Sequence, residues 1–358
     1  MPLITGLEID NFRCFKRLRV EGLTRVNLIV GANNAGKTAL LEAVEAVASV
    51  ESPFILYRAS LERGESRSGR GDGGEQNAVR LDVRRWFFGH ELDEASFEIR
   101  ATGGVDRTVS RSIKGVPPDA TAPFVPSYGF ALTLRQSGSS RGGSKVTTLP
   151  VSPEGWLGAG PPSRFVGYGL GLRPPVSFVT TRGLLPPELV QLWASIVLTP
   201  REESTVTALR LIEPTIERVA ISGGPDGAVV QVLLRDAKGP IPLGTLGEGV
   251  SRIFSLALHL ATAKGGVLLV DEIESGLHWS VMPRVWRFLL SAARELDVQI
   301  FATTHSKDCL EALAQLYRDE PGLAGDVSVH RLEAGKAEAV RMDARIIELA
   351  TEGSQEVR

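Results

Sequence analysis

The chain has 358 residues, 43% hydrophobic and 23% charged, with a formal net charge of −2. It can bury a large core, and its balance excludes a chain drawn as a whole to nucleic acid or to an anionic membrane. A local basic patch stays open, because Arg outnumbers Lys and the two signs are mixed throughout. Cys14 and Cys309 lie far apart without metal-ligand spacing, as reduced cytosolic residues do. The opening Met1-Pro2-Leu3-Ile4 has no charged segment followed by an apolar run, and the apolar stretch at 266–270 is far too short for a bilayer. A soluble, cytoplasmic protein is expected, with no membrane partner.

In chain order, Leu3–Ile9 and Leu18–Val20 read as strands of an antiparallel hairpin joined by Asp10-Asn11-Phe12-Arg13-Cys14-Phe15. Val26–Val30 is a short buried strand. It runs into Gly31-Ala32-Asn33-Asn34-Ala35-Gly36-Lys37-Thr38, which fits G-x-x-x-x-G-K-[ST]. An Ala- and Leu-rich helix follows from Ala39 to Val50. Strand, glycine turn and helix together aim backbone N–H groups and a helix N-terminus at an anion. Gly31, Asn33, Asn34, Ala35, Gly36 and Ala39 are therefore expected to cradle a nucleoside triphosphate. Lys37 supplies charge to the β- and γ-phosphates, and the Thr38 hydroxyl is a Mg²⁺ ligand.

Arg58 to Asn77 is rich in Gly, Ser, Arg and Glu and poor in apolar residues, so 55–78 is expected to be flexible. Alternating segments at 79–84, 96–100, 128–134 and 145–149 give an antiparallel β-subdomain over 79–150, with a hairpin tip at 137–144. The interval 136–175 is otherwise irregular. A strand at 176–180, helices at 187–197 and 200–218 (the latter kinked by Pro214), and strands at 229–234 and 241–243 follow.

Gly266–Val270 is a buried strand ending in Asp271-Glu272. An Asp there can reach Mg²⁺ if its strand is parallel to the one before the glycine loop, and the adjacent Glu can act as general base on an attacking water. Ahead of it, Thr245-Leu246-Gly247-Glu248-Gly249-Val250-Ser251-Arg252 opens a helix at 253–263. Behind it come Glu274-Ser275-Gly276-Leu277-His278 and a strand ending in Thr303-Thr304-His305-Ser306. Edge strands at 327–332 and 337–340 and a helix at 342–350 complete the reading.

The Asn11-Phe12-Arg13 opening, the phosphate loop and these later segments resemble the SMC, RecF and OLD-type branch of the ABC ATPases, and within it the OLD-like AAA_15/AAA_21 group. The resemblance implies a single α/β P-loop NTPase head over 1–358: hairpin and P-loop in 1–54, the added antiparallel subdomain, a helical signature lobe at 176–263, and Walker B, switch and C-terminal elements at 264–358. It implies ATP and Mg²⁺ as ligands, with Thr38 and Asp271 on the metal and Glu272, His305 and Lys37 catalytic. Gly247, Glu248 and Gly249 stand at the signature, although Gly247 occupies the family's serine position. Ser275 and His278 stand at the D-loop, where His278 either crosses a dimer interface or caps a helix. Arg13 is placed at the nucleotide by the resemblance and on a solvated turn by its residues alone. The glutamine usual after the 176–180 strand is missing, with Thr181 or Arg182 in its place.

As a whole, the resemblance implies an ATPase that dimerises head-to-tail on ATP and regulates a separate effector, such as a nuclease in phage defence or DNA metabolism. With little chain after His305 for a TOPRIM module and no Cys/His run of the HNH kind, nuclease activity in cis is not expected. A RecF-like, DNA-binding repair ATPase is the alternative, so DNA or RNA stays open as a partner. The degenerate signature counts against a transporter subunit.

Overall fold

Three sheets and seven helices make up the computed structural model, which describes residues 2–49, 56–69, 78–92, 94–104, 107–115, 130–138, 145–160, 175–184, 186–223, 227–343 and 347. The first half holds β1 (Gly6–Phe12), β2 (Phe15–Glu21), β3 (Val26–Val30), α1 (Lys37–Ala48), α2 (Tyr57–Glu62), β4 (Ser66–Gly69), β5 (Ala78–Asp82) and β6 (Ser96–Thr102). β7 (Arg107–Gly115), β8 (Phe130–Gly138), β9 (Lys145–Val151) and β10 (Trp156–Gly160) follow. Then come β11 (Val176–Val179), α3 (Pro186–Ile196), α4 (Pro200–Leu209), β12 (Ile216–Ser222), β13 (Val229–Leu234), β14 (Ile241–Pro242) and α5 (Glu248–Thr262). The chain continues through β15 (Val267–Val270), α6 (Met282–Glu295), β16 (Gln299–Thr303), α7 (Lys307–Asp319), β17 (Val327–Arg331) and β18 (Val340–Met342).

The central sheet has the order β11-β15-β16-β3-β17-β18, parallel except for β18. Its strands are covered on both faces, which is why they read as unbroken apolar runs. Along β15, Leu268 and Val270 face one core while Val267 and Leu269 face the other. The first core is closed by α3 to α7 and the small β12-β13-β14 sheet.

The second core lies between the central sheet and a nine-stranded antiparallel sheet, ordered β2-β1-β6-β7-β8-β9-β10-β5-β4. α1 runs between the two, buried along nearly its whole circumference, as its Ala- and Val-rich sequence permits. Arg107 of β7 donates to the carbonyl of Ala48 at 3.1 Å and satisfies the C-terminal end of α1.

The α/β class with an added antiparallel sheet is as expected, but several boundaries differ. The opening hairpin is not a unit with the P-loop strand; β1 pairs with β6 and continues the antiparallel sheet. Within the interval expected to be flexible, 57–62 is helical and 66–69 pairs with β5. Apolar pattern missed this because ion pairs hold α2: Arg58 bonds Glu45 of α1 at 2.6 Å and Glu62 at 2.9 Å, and stacks on Phe178. Residues 70–77 lie outside the described residues. The strand expected at 145–149 is β9, and the stretch expected to be irregular also contains the end of β8 and all of β10, which pairs with β9 and β5.

The helix expected over 200–218 stops at Leu209, and 216–222 is β12, because Pro214 ends the helical run and Ile216 and Val219 turn inward as strand residues. The last edge strand falls at 340–342 rather than 337–340. Most of the expected terminal helix, and the tip at 139–144, lie outside the described residues.

Candidate nucleotide site

Parallel strands β3, β15 and β16 end on one edge of the central sheet, the edge where open α/β sheets bind ligands. At the end of β3 the loop Gly31–Thr38 turns into α1. Gly31 has φ +146 and Gly36 φ +98, conformations open to glycine. A Cβ on Gly36 would stand 2.4 Å from the Phe15 ring, so the hairpin packs directly on the phosphate loop. A cleft of about 650 Å³ opens here, lined by Asn33, Asn34, Gly36, Lys37, Thr38, Ala39, Asp271 and Glu272, with Arg63, Arg85 and His90 also on its wall. Its size suits a small-molecule ligand.

Within it, residues 233 positions apart meet. The Thr38 hydroxyl lies 3.1 Å from Asp271 Oδ2, and the Thr303 hydroxyl donates to Asp271 Oδ1 at 2.6 Å. Thr38 and Asp271 are thus a hard-oxygen pair of the kind Mg²⁺ prefers, beside the loop that would hold its phosphates. Lys37 Nζ donates to the carbonyls of Gly31 at 2.7 Å and Ala32 at 3.0 Å. Burial pulls Lys37 below its ordinary range, opposed by the carboxylates of Asp271, Glu272 and Glu274.

Glu272 has φ +48, and its backbone is held from two sides. Its N–H donates to Thr303 Oγ1 at 2.9 Å, and its carbonyl accepts from Arg252 at 2.9 Å. Arg252, in the first turns of α5, also donates to the carbonyls of Asp271 at 2.8 Å and Thr180 at 2.6 Å. His305 Nδ1 stands 3.7 Å from Glu272 Oε1 and 3.4 Å from Glu274 Oε1.

Other predicted residues stand elsewhere. Gly247, Glu248 and Gly249 do not border this cleft. They open α5, with Gly247 at φ +101, and Glu248 and Gly249 pack on the Gly276 loop, where a Cβ on Gly249 would meet the Gly276 carbonyl at 3.1 Å. Ser275 and His278 lie on that same loop outside the cleft, and His278 caps the turn Trp279–Val281 through Ser280. Arg13 is not on a solvated turn. Its guanidinium is buried at the cleft wall and bonded to Glu42 at 2.8 Å and Glu65 at 2.6 Å. Neither Thr181 nor Arg182 borders the cleft, and Arg182 donates to the Glu62 carbonyl at 3.0 Å.

Sequence reasoning missed Thr303 and Arg252. The Thr-Thr-His-Ser run held a signal for the first, since a hydroxyl at a strand end next to Asp-Glu is placed to bond them. Arg252 carried no signal, because an Arg in an amphipathic helix usually faces solvent.

Two family models match the segments that carry this geometry. Residues 3–93 match the family AAA_15 (AAA ATPase domain), and residues 182–308 match AAA_21 (AAA domain, Type IV TA system). An ATP/GTP phosphatase of Helicobacter pylori is 21% identical over 346 residues, 89% of each chain. The DNA replication and repair protein RecF of Thermomicrobium roseum is 44% identical over 61 residues, 17% of this chain and 14% of RecF. Among solved structures, the Smc head domain bound to the C-terminal domain of ScpA from Pyrococcus furiosus is 12% identical and covers 98% of this chain and 99% of its own, with a TM-score of 0.49. The chain is a P-loop ATPase, similar over residues 3–93 and 182–308 to AAA ATPase domains.

Proposed function

We propose that the protein hydrolyses ATP at composite sites in a head-to-tail homodimer, using Mg²⁺ held by Thr38 and Asp271. One observation carries the reading. Lys37, Thr38, Asp271 and Glu272 line a single cleft, while the glycine-rich start of α5 stands outside it with its N-terminal N–H groups unfilled by any side-chain cap. A second copy brings that surface over the γ-phosphate. The bound Mg²⁺ supplies charge stabilisation at the β- and γ-phosphates. Among this chain's own residues, Lys37 neutralises phosphate charge, Glu272 takes a proton from the attacking water, and His305 contacts the γ-phosphate. ATP binding closes the dimer and hydrolysis opens it, and the cycle drives or licenses a separate effector protein, a nuclease being the class the resemblance implies.

Subunit mixing tests the reading. Lys37→Ala removes the phosphate contact, and Glu248→Arg crowds the exposed start of α5. Each variant alone should be inactive. In an equimolar mixture half the dimers are mixed and each keeps one intact site of two, so roughly a quarter of the wild-type rate should return. No recovery would place the whole site within one chain. The local likeness to RecF favours a second reading, DNA binding by the ATP-bound form, which would show as ATP-dependent and salt-sensitive association with duplex DNA.

A further inference from the structure

Behind His305 stands a carboxylate that the hydrolytic reading leaves unused. Glu274 lies in the loop after β15, and its Oε1 accepts the backbone N–H of His305 at 3.2 Å. The same oxygen is 3.4 Å from the imidazole Nδ1, nearer than Glu272 at 3.7 Å. The Glu274 side chain is 14% exposed against 44% for Glu272, so water competes far less for it. Its other oxygen, Oε2, is buried and has no hydrogen-bond partner among the described residues. Keeping a carboxylate so poorly solvated is costly, and among the described residues its side-chain hydrogen bond is with the His305 backbone.

An ionised carboxylate can only accept hydrogen bonds. Set against Nδ1, it selects the imidazole tautomer that carries its proton there and leaves Nε2 as the nitrogen presented elsewhere. Because one oxygen bonds the backbone N–H and stands 3.4 Å from the ring nitrogen, it is placed to set both where the residue sits and which way the ring turns. We propose that Glu274 is a positioning residue that fixes the tautomer and orientation of His305, so that Nε2 meets the γ-phosphate. The proposal rests on the reading of His305 as the phosphate-contacting histidine.

The test compares Glu274→Ala, Glu274→Gln, His305→Ala and the Glu274→Ala/His305→Ala double variant, each first shown to fold by thermal unfolding and to bind ATP. Glu274→Ala should lower kcat about tenfold or more with KM for ATP little changed, and the double variant should be no slower than His305→Ala. Glu274→Gln, whose amide oxygen can still accept both contacts, should recover most of the rate. Nitrogen-15 spectra of the imidazole, assigned by loss of the signal in His305→Ala, should show Nδ1–H in the wild type and a shift toward Nε2–H in Glu274→Ala. Wild-type kcat in Glu274→Ala, multiplicative losses in the double variant, or an unchanged tautomer would each overturn the proposal. Full activity of His305→Ala would instead sink the histidine's role, while the tautomer spectra would still report on Glu274.

Discussion

Thr303→Val removes one hydroxyl from the fully buried end of β16 and preserves side-chain shape, so its effect can be worked from two bonds. Asp271 loses a charge-assisted hydrogen bond at 2.6 Å, worth about 1.5–3 kcal/mol. The Glu272 N–H loses its 2.9 Å acceptor, which costs about 1–3 kcal/mol if no water replaces it. Asp271 keeps Thr38, and water can enter from the cleft, so we expect a net destabilisation of about 3 kcal/mol. At about 2.1 cal/mol/K of unfolding entropy per residue, that is a fall in Tm of roughly 4 °C for a chain this long. Function should suffer more than stability suggests. The bonds broken hold Asp271 and Glu272, the proposed metal ligand and general base, so kcat should fall about tenfold to a hundredfold. Calorimetry without nucleotide and phosphate-release assays across a Mg²⁺ series measure both effects, and Thr303→Ser, which keeps the hydroxyl, should restore both. A Thr303→Val enzyme with wild-type kcat and Mg²⁺ dependence would refute the claim that this hydroxyl organises the site.

Two further outcomes follow. Burial, reinforced by nearby arginines, depresses His259 to about 3 and His330 to about 4, below the unfolded value near 6.5. Both stay neutral when folded while the unfolded chain takes up protons, so their contribution is intact above pH 6.5 and is lost as pH falls from there toward 4. At pH 5.5 the pair should cost about 3 kcal/mol, read as a lower urea midpoint than at pH 7.5; His259→Gln should remove about half of that pH dependence. Arg13→Met breaks a buried ion pair with Glu42 and should cost about 3 kcal/mol without nucleotide present. An unchanged Tm with a raised KM for ATP would show that Arg13 serves the nucleotide instead.

Much of the central sheet was legible because its strands are buried on both faces and end in residues of the types that phosphate and metal chemistry uses. Val26–Val30 before Gly31, and Gly266–Val270 before Asp271-Glu272, are the plainest cases. Several strands of the antiparallel sheet were legible one by one, but not their order. Nothing in the alternation of β1 says that it pairs with β6 some ninety residues later. β7 and β10 went unread, β7 because Ser and Arg interrupt its pattern and β10 because glycines dilute it. α2 was invisible to apolar periodicity because its anchors are Arg58 and two glutamates.

At the site, the loop, Asp271 and Glu272 were readable from type and spacing, and the structure brings them into one cleft. Thr303, Arg252 and Glu274 were not singled out, since each acts through a backbone group or a neighbouring side chain that only the fold brings close.

The claim that half of each site comes from another molecule is tested most directly by the mass of the Glu272→Gln variant in solution. Without the general base, ATP should stay bound and hold two chains together. Light scattering on the eluting protein should then give twice the chain mass with ATP and Mg²⁺, and the single-chain mass with ADP. A Glu272→Gln protein that binds ATP and remains at the single-chain mass would contradict the account.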